Sequence, residues 1–166
     1  MKKTETPRRV VVTGLGVVSP LGSDVETFWR RLVAGESGIG QVTRFDTTGY
    51  ATTIAGEAQG FKAEDYLDRK EVRRADLFVQ YAIGAAVQAV KQAGVSAETV
   101  DPTRYGVIVG SGIGGIATLE DQHRALLEKG PGRVSPFFIP MMISDMAAGQ
   151  ISIQLGAKGP NFCTVS

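Results

Sequence analysis

The chain sets its glycines in clusters between apolar runs, and no other feature restricts its fold as much. Of 21 glycines in 166 residues, most fall at Gly14/Gly16, Gly35/Gly38/Gly40, Gly110/Gly112/Gly114/Gly115 and Gly156/Gly159. Clusters placed this way mark tight turns and close backbone approaches, not a flexible low-complexity linker. The clearest unit is an apolar strand, Tyr105 to Val109, followed by the glycine turn and then a helical pattern from about Ile116 to Lys129.

Similar alternation runs through the rest of the chain. Arg9 to Thr13 is a β-branched run that predicts a buried strand. Ser23-Asp24-Val25-Glu26 has capping-box form and opens a helix whose apolar face carries Phe28, Trp29, Leu32 and Val33, with Gly35 as the stop. Thr52 to Ala58 suggests another short strand. Arg69 to Ala93 reads as one long helix with Leu77, Phe78, Tyr81, Ala82, Ala85, Ala86, Ala89 and Val90 at three-to-four spacing, ended by Gly94. Its many alanines suit close packing, because small side chains let backbones approach. A Pro/Gly-rich connection, Gly130 to Pro140, leads to a further helical stretch with Pro140 at its start, and Asn161 to Ser166 is a β-rich run. Strands alternating with helices imply a layered α/β fold with buried strands in one domain. A domain ending inside a core strand points to truncation.

Composition narrows the function classes. Lys plus Arg (18) nearly balances Asp plus Glu (17), so no global charge argues for nucleic acid, and partners must be read from local patches. The single cysteine, Cys163, allows no internal disulfide, and no apolar run approaches a membrane span. The expectation is a cytoplasmic chain with no membrane partner.

Gly110-Ser111-Gly112-Ile113-Gly114-Gly115 satisfies G-x-G-x-x-G between strand and helix, the context of a dinucleotide fingerprint. The acidic residue and second strand that should follow about 20 residues on are replaced by GPGRVSPFF. A purely structural turn is the competing reading. Against that stands Ile113, an apolar side chain that flanking glycines would free to face an apolar ligand.

Arg69, Lys70, Arg73 and Arg74 crowd the expected helix start, where cations oppose the macrodipole and repel one another. Either Glu71 and Asp76 compensate them, or an acidic partner does. No aromatic residues interleave with these bases to stack on nucleobases, so an acidic helical protein or a phosphate-bearing prosthetic group fits better. Arg124, Lys129 and Arg133 form a looser second cluster. His123, the one histidine, sits beside Asp121 and Arg124 as a solvated helix residue, and no metal-ligand spacing is present. Cys163 lies in an apolar run without a histidine at catalytic spacing and reads as a small buried hydrophobe.

In order along the chain, RVVVTGLGVVSPLG, FWRRLVAGESGI, RFDTTGYAT, RKEVRRADLFVQYA, VIVGSGIGG, VSPFFIPMMISDMAAGQISI and LGAKGPN resemble the elongating β-ketoacyl-acyl-carrier-protein synthases, closest to the type II enzymes of bacterial fatty-acid synthesis. The resemblance implies an α/β thiolase-like layered fold (α-β-α-β-α), of which residues 1–166 form the N-terminal half only, cut just before the nucleophile elbow. It implies an acyltransferase that condenses malonyl-carrier protein, with decarboxylation, onto an acyl-enzyme thioester in fatty-acid elongation. The nucleophilic cysteine is then expected two positions beyond Ser166, followed later by two histidines, so no catalytic residue lies in this chain and Cys163 is not the nucleophile. The piece alone is expected to be inactive.

By the same resemblance, Ile113 and Phe138 belong to the acyl pocket, Phe138 across a homodimer interface, and Lys70, Arg73, Arg74 and Arg133 receive the acidic acyl carrier protein. Gly132 stands where some relatives have a further base. No cofactor or metal is implied, because the phosphopantetheine arm belongs to the carrier. A non-catalytic chain-length-factor-like partner, with Gln in place of the nucleophile, is the alternative, ahead of a dinucleotide-binding domain.

Overall fold

A computed structural model describes residues 9–165. In chain order it contains α1 (Val25–Val33), β1 (Ile39–Gln41), β2 (Ile54–Gly56), α2 (Arg69–Val72), α3 (Leu77–Ala93), β3 (Val107–Gly110), α4 (Ile116–Lys129), α5 (Phe138–Met142), α6 (Met146–Leu155) and β4 (Asn161–Thr164). Strands β1 and β2 pair antiparallel, with Ile39 opposite Gly56. Strands β3 and β4 pair parallel, with Val107 opposite Asn161 and Val109 opposite Cys163. Ser166 lies outside the described residues, so the expected last strand is seen from Asn161 to Thr164.

The core forms where α3, α6 and β3 meet. Val79 and Ile83 of α3, Val107 of β3, and Ala147, Ala148 and Ile151 of α6 are its buried members. The four alanine and valine positions in that set keep the elements close enough for Ile83 and Ile151 to fill the remaining space. Asn161 fastens β4 to α6 by donating to the carbonyl of Ala148 at 2.8 Å and to the Ser152 hydroxyl at 2.5 Å. No helix among the described residues is long and apolar enough to cross a membrane.

Several local expectations hold. Gly94 ends α3 as expected, in the left-handed conformation with φ of +65°, where a side chain would be strained. Gly156, to which the sequence reading gave no such role, ends α6 in the same way with φ of +67°. Helix α4 covers the predicted span, and Gly35 follows α1 with φ of +69°.

Other expectations are corrected. The run Arg9 to Thr13 is not a buried strand: Val10, Val11 and Val12 are 94%, 64% and 80% exposed. A strand needs a neighbour for its N–H and C=O groups. Just after the valine run, the amide of Gln92 accepts from Leu15 N–H at 2.6 Å, and that of Gln88 accepts from Val17 N–H at 3.3 Å. The segment therefore rides on helix α3. Side chains at Gly14 or Gly16 would strike the carbonyls of Ala89 and Ala85, which is the close approach the alanines anticipated.

Helix α1 is capped by Asp24 accepting from Thr27 N–H at 2.8 Å, not by Ser23 in a capping box with Glu26. The long helix from Arg69 is two helices. Asp76 caps α3 by accepting from Phe78 N–H, and the Gln80 amide donates to the carbonyls of Val72 at 3.1 Å and Ala75 at 2.7 Å, satisfying the groups that a break leaves open. Its most buried residues are Val79 and Ile83 rather than the predicted stripe, because α3 is covered from more than one side. Pro140 is the third residue of α5, and the predicted final helical stretch is divided into α5 and α6.

Candidate functional site

The turn from α2 into α3 concentrates positive charge. In α2, Asp68 accepts from the N–H groups of Lys70 and Glu71 at 2.8 Å each, and Glu71 returns to Asp68 N–H at 3.1 Å. Asp76 binds Phe78 N–H and, through its other oxygen, Thr118. All three carboxylates of the segment therefore serve backbone or hydroxyl donors. Among the described residues the ion pairs are Arg31–Glu36 and Arg124–Asp121, so Lys70, Arg73 and Arg74 are exposed without a carboxylate partner.

The break also revises the electrostatic argument. Arg73 is the C-cap of α2, where a cation complements the dipole, and Arg74 lies between helices. The bases do not strain the start of a long helix. What remains is a cluster of exposed cations with no local acid engaged.

Arg74 is held by an aromatic ring. Its guanidinium carbon stands 4.2 Å from the centroid of Phe137, at the end of the Pro/Gly-rich connection. That connection is pinned to α4 by Ser135 N–H donating to the Gln122 side chain at 2.7 Å. Arg133 is exposed at the end of a 3-10 turn, Pro131–Arg133, in the same connection. Phe138 begins α5 and is half-buried. The sequence reasoning overlooked Phe137. Its only signal was a second aromatic beside Phe138 in a loop otherwise short of large side chains.

The glycine turn joins β3 to α4. Gly114 has φ of +79°, and a side chain on it would strike the Met142 carbonyl; a Cβ on Gly115 would lie 2.5 Å from the Met141 carbonyl oxygen and 2.9 Å from an Asp76 carboxylate oxygen. These two glycines therefore admit the end of α5 and the Asp76 side chain. Their N–H groups are engaged as well: Gly114 donates to the Ser111 hydroxyl at 3.1 Å and Gly115 to Met142 O at 2.8 Å. Donors already occupied in this way do not form a pyrophosphate cradle. Ile113 stands in the turn at 66% exposure.

Cys163 is half-buried on β4, its thiol directed to the carbonyl of Thr164 at 3.6 Å. His123 is exposed on α4. Among the described residues no group of three or more His, Cys, Asp or Glu side chains converges to hold a metal ion.

The sequence matches the family "Beta-ketoacyl synthase, N-terminal domain" over residues 7–166, and the chain belongs to that family. It is 54% identical over 159 residues to 3-oxoacyl-[acyl-carrier-protein] synthase 2 of Staphylococcus aureus, covering 96% of this chain and 38% of that protein. Among solved structures it resembles the ishigamide ketosynthase/chain length factor, with a TM-score of 0.83 and 26% identity over 96% of this chain and 40% of the other. It also resembles a type II polyketide ketosynthase in complex with its acyl-carrier protein and bound to the hexaketide, with a TM-score of 0.73 and 25% identity over 92% of this chain and 40% of that one. The fold is thus the thiolase-like α/β arrangement of ketosynthases. The chain spans about two fifths of the length of the relatives it matches.

Proposed function

We propose that these residues belong to an elongating β-ketoacyl-acyl-carrier-protein synthase acting in fatty-acid synthesis, as a homodimer in the cytoplasm. One observation carries the reading: the 54% identity to a 3-oxoacyl-[acyl-carrier-protein] synthase 2 across 96% of this chain. In the proposed reaction a cysteine thiolate, two positions past Ser166, attacks the thioester of an acyl-carrier protein and releases the carrier thiol. Malonyl-carrier protein then loses carbon dioxide, and its carbanion attacks the enzyme-bound acyl group. The thiolate leaves, and 3-oxoacyl-carrier protein is formed. No resident cofactor or metal takes part; the phosphopantetheine arm arrives on the carrier.

Within this scheme the described residues bind and orient. Lys70, Arg73, Arg74 and Arg133 are exposed cations suited to an acidic carrier surface. Ile113 and Phe138 contribute to the acyl pocket, Phe138 to that of the partner subunit. Cys163 takes no part in the chemistry.

The test is condensation by the full-length protein, supplied with acyl- and malonyl-carrier proteins and followed by carbon dioxide release and product mass. Product formation that is abolished by changing the residue two positions after Ser166 supports the reading. A glutamine found at that position, with no condensation, would instead favour a chain-length-factor-like partner, the reading to which the ishigamide ketosynthase/chain length factor likeness lends weight.

A further inference from the structure

The contact between Arg74 and Phe137 has a geometry that matters for docking. A guanidinium is planar, and its five N–H donors lie in that plane. When its face rests on a ring, the donors still point outward and remain free for a carboxylate or phosphate. Arg74 stands over Phe137 at 4.2 Å and makes no ion pair among the described residues. The ring therefore fixes the cation without using up its hydrogen bonds.

Arg74 and Phe137 line one cleft together with the apolar Leu67, Ala75, Ile83 and Pro140 and the polar Glu71 and Gln150. Apolar groups there can hold the methylene stem while the charged end stays in water. An exposed arginine otherwise loses much rotamer freedom when a partner captures it. Phe137 lowers that loss beforehand. No comparable ring holds Arg73 among the described residues, so the two neighbouring arginines differ in kind.

We infer that Phe137 is a positioning residue for carrier docking: it presents Arg74, preorganised, to an acidic group on the acyl carrier protein. The inference rests on the docking role proposed above and adds to it a residue that carries no charge.

The experiment is a double-mutant cycle on the full-length protein, with holo-acyl carrier protein as the probe and affinity measured at low salt. Phe137→Leu should weaken binding roughly threefold to tenfold, the range expected for a ring-held cation. Phe137→Tyr, which keeps the ring face, should restore most of it, and Phe137→Leu should have no further effect in an Arg74→Gln background. In an Arg73→Gln background the Phe137→Leu effect should persist. Phe137→Met serves as a second ring-free variant with its own unfolding midpoint, separating lost presentation from lost folding. If Arg74→Gln weakens binding but Phe137→Leu and Phe137→Met do not, or if the two sites add independently, this inference is overturned and the docking role stands. If charge reversal at Lys70, Arg73 and Arg74 together leaves affinity unchanged, the docking role itself fails, and this inference with it.

Discussion

Asp76 caps α4 from outside it, through Thr118. Gly115, at the N-cap position of α4, has no side chain with which to cap the helix. Asp76 supplies the missing oxygen: it accepts from Thr118 N–H at 3.2 Å and from the Thr118 hydroxyl at 2.5 Å, while its other oxygen accepts from Phe78 N–H at 3.4 Å. One carboxylate thus serves the first turns of α3 and α4 together. Thr118 is the buried polar residue at that junction, 7% exposed.

Breaking this junction should destabilise the full-length protein. Asp76→Asn turns one acceptor into a donor facing N–H groups, and Thr118→Val removes the hydroxyl. Each change is expected to cost about 1–3 kcal/mol, the range for leaving a buried polar partner unmet. Denaturant midpoints of the single and double variants would check it. A double variant no worse than the worse single one is expected, because both remove the same interaction.

Gly16 should tolerate no side chain, whereas Gly40 should. A Cβ at Gly16 would collide with the Ala85 carbonyl, but one at Gly40 meets nothing within 4 Å. Gly16→Ala is expected to cost at least the 1–3 kcal/mol typical of overpacking. Gly40→Ala, in strand β1, should lie near zero. Equal thermal shifts for the two would contradict the close approach of this segment to α3.

Helix α1 should lose its cap in acid. Asp24 is held below its ordinary carboxylate range, first by the N–H of Thr27 and then by the Thr27 hydroxyl. Because the folded value is depressed, the contribution is present above the unfolded value of about 3.9 and fades as pH falls through the folded one. Wild type should therefore be more stable than Asp24→Ala at pH 7, and the gap should shrink as pH drops below about 4. Asp24→Asn, which cannot titrate, should keep a constant gap to Asp24→Ala. Urea midpoints across that range provide the measurement.

Enlarging Ile113 should narrow chain-length tolerance. The residue is 66% exposed in its turn and has no left-handed φ, so Ile113→Phe can be accommodated locally. In the full-length protein it is expected to lower kcat/KM for long acyl primers by roughly tenfold or more relative to short ones. A uniform loss across primer lengths would remove Ile113 from the acyl pocket.

The sequence-based reading was most accurate where a residue's preference needs no distant partner. Gly94 ends its helix because only glycine enters the left-handed region cheaply. Helix α4 follows from periodicity alone, and the ordered motifs identify the family. The exposed bases at Lys70, Arg73 and Arg74 are also legible in the sequence, although they do not crowd the start of one long helix: Arg73 is the C-cap of α2.

Tertiary contacts decided the rest. Local periodicity runs unbroken from Arg69 to Ala93, yet the helix breaks because Asp76 finds Thr118 42 residues away and Gln80 turns back to cap α2. The valines at 10–12 favour a strand, but pairing depends on a neighbouring edge, and the chain after them is bound by glutamine side chains on α3 instead. The glycine turn has the G-x-G-x-x-G form of a phosphate cradle, although the acid and second strand that should follow it are missing from the sequence. In three dimensions two of its N–H groups are already satisfied and its last glycines make room for α5. Composition and spacing record what each residue prefers beside its chain neighbours. Which carboxylate, amide or ring meets a given donor depends on segments far apart in sequence, and only the folded chain brings those together.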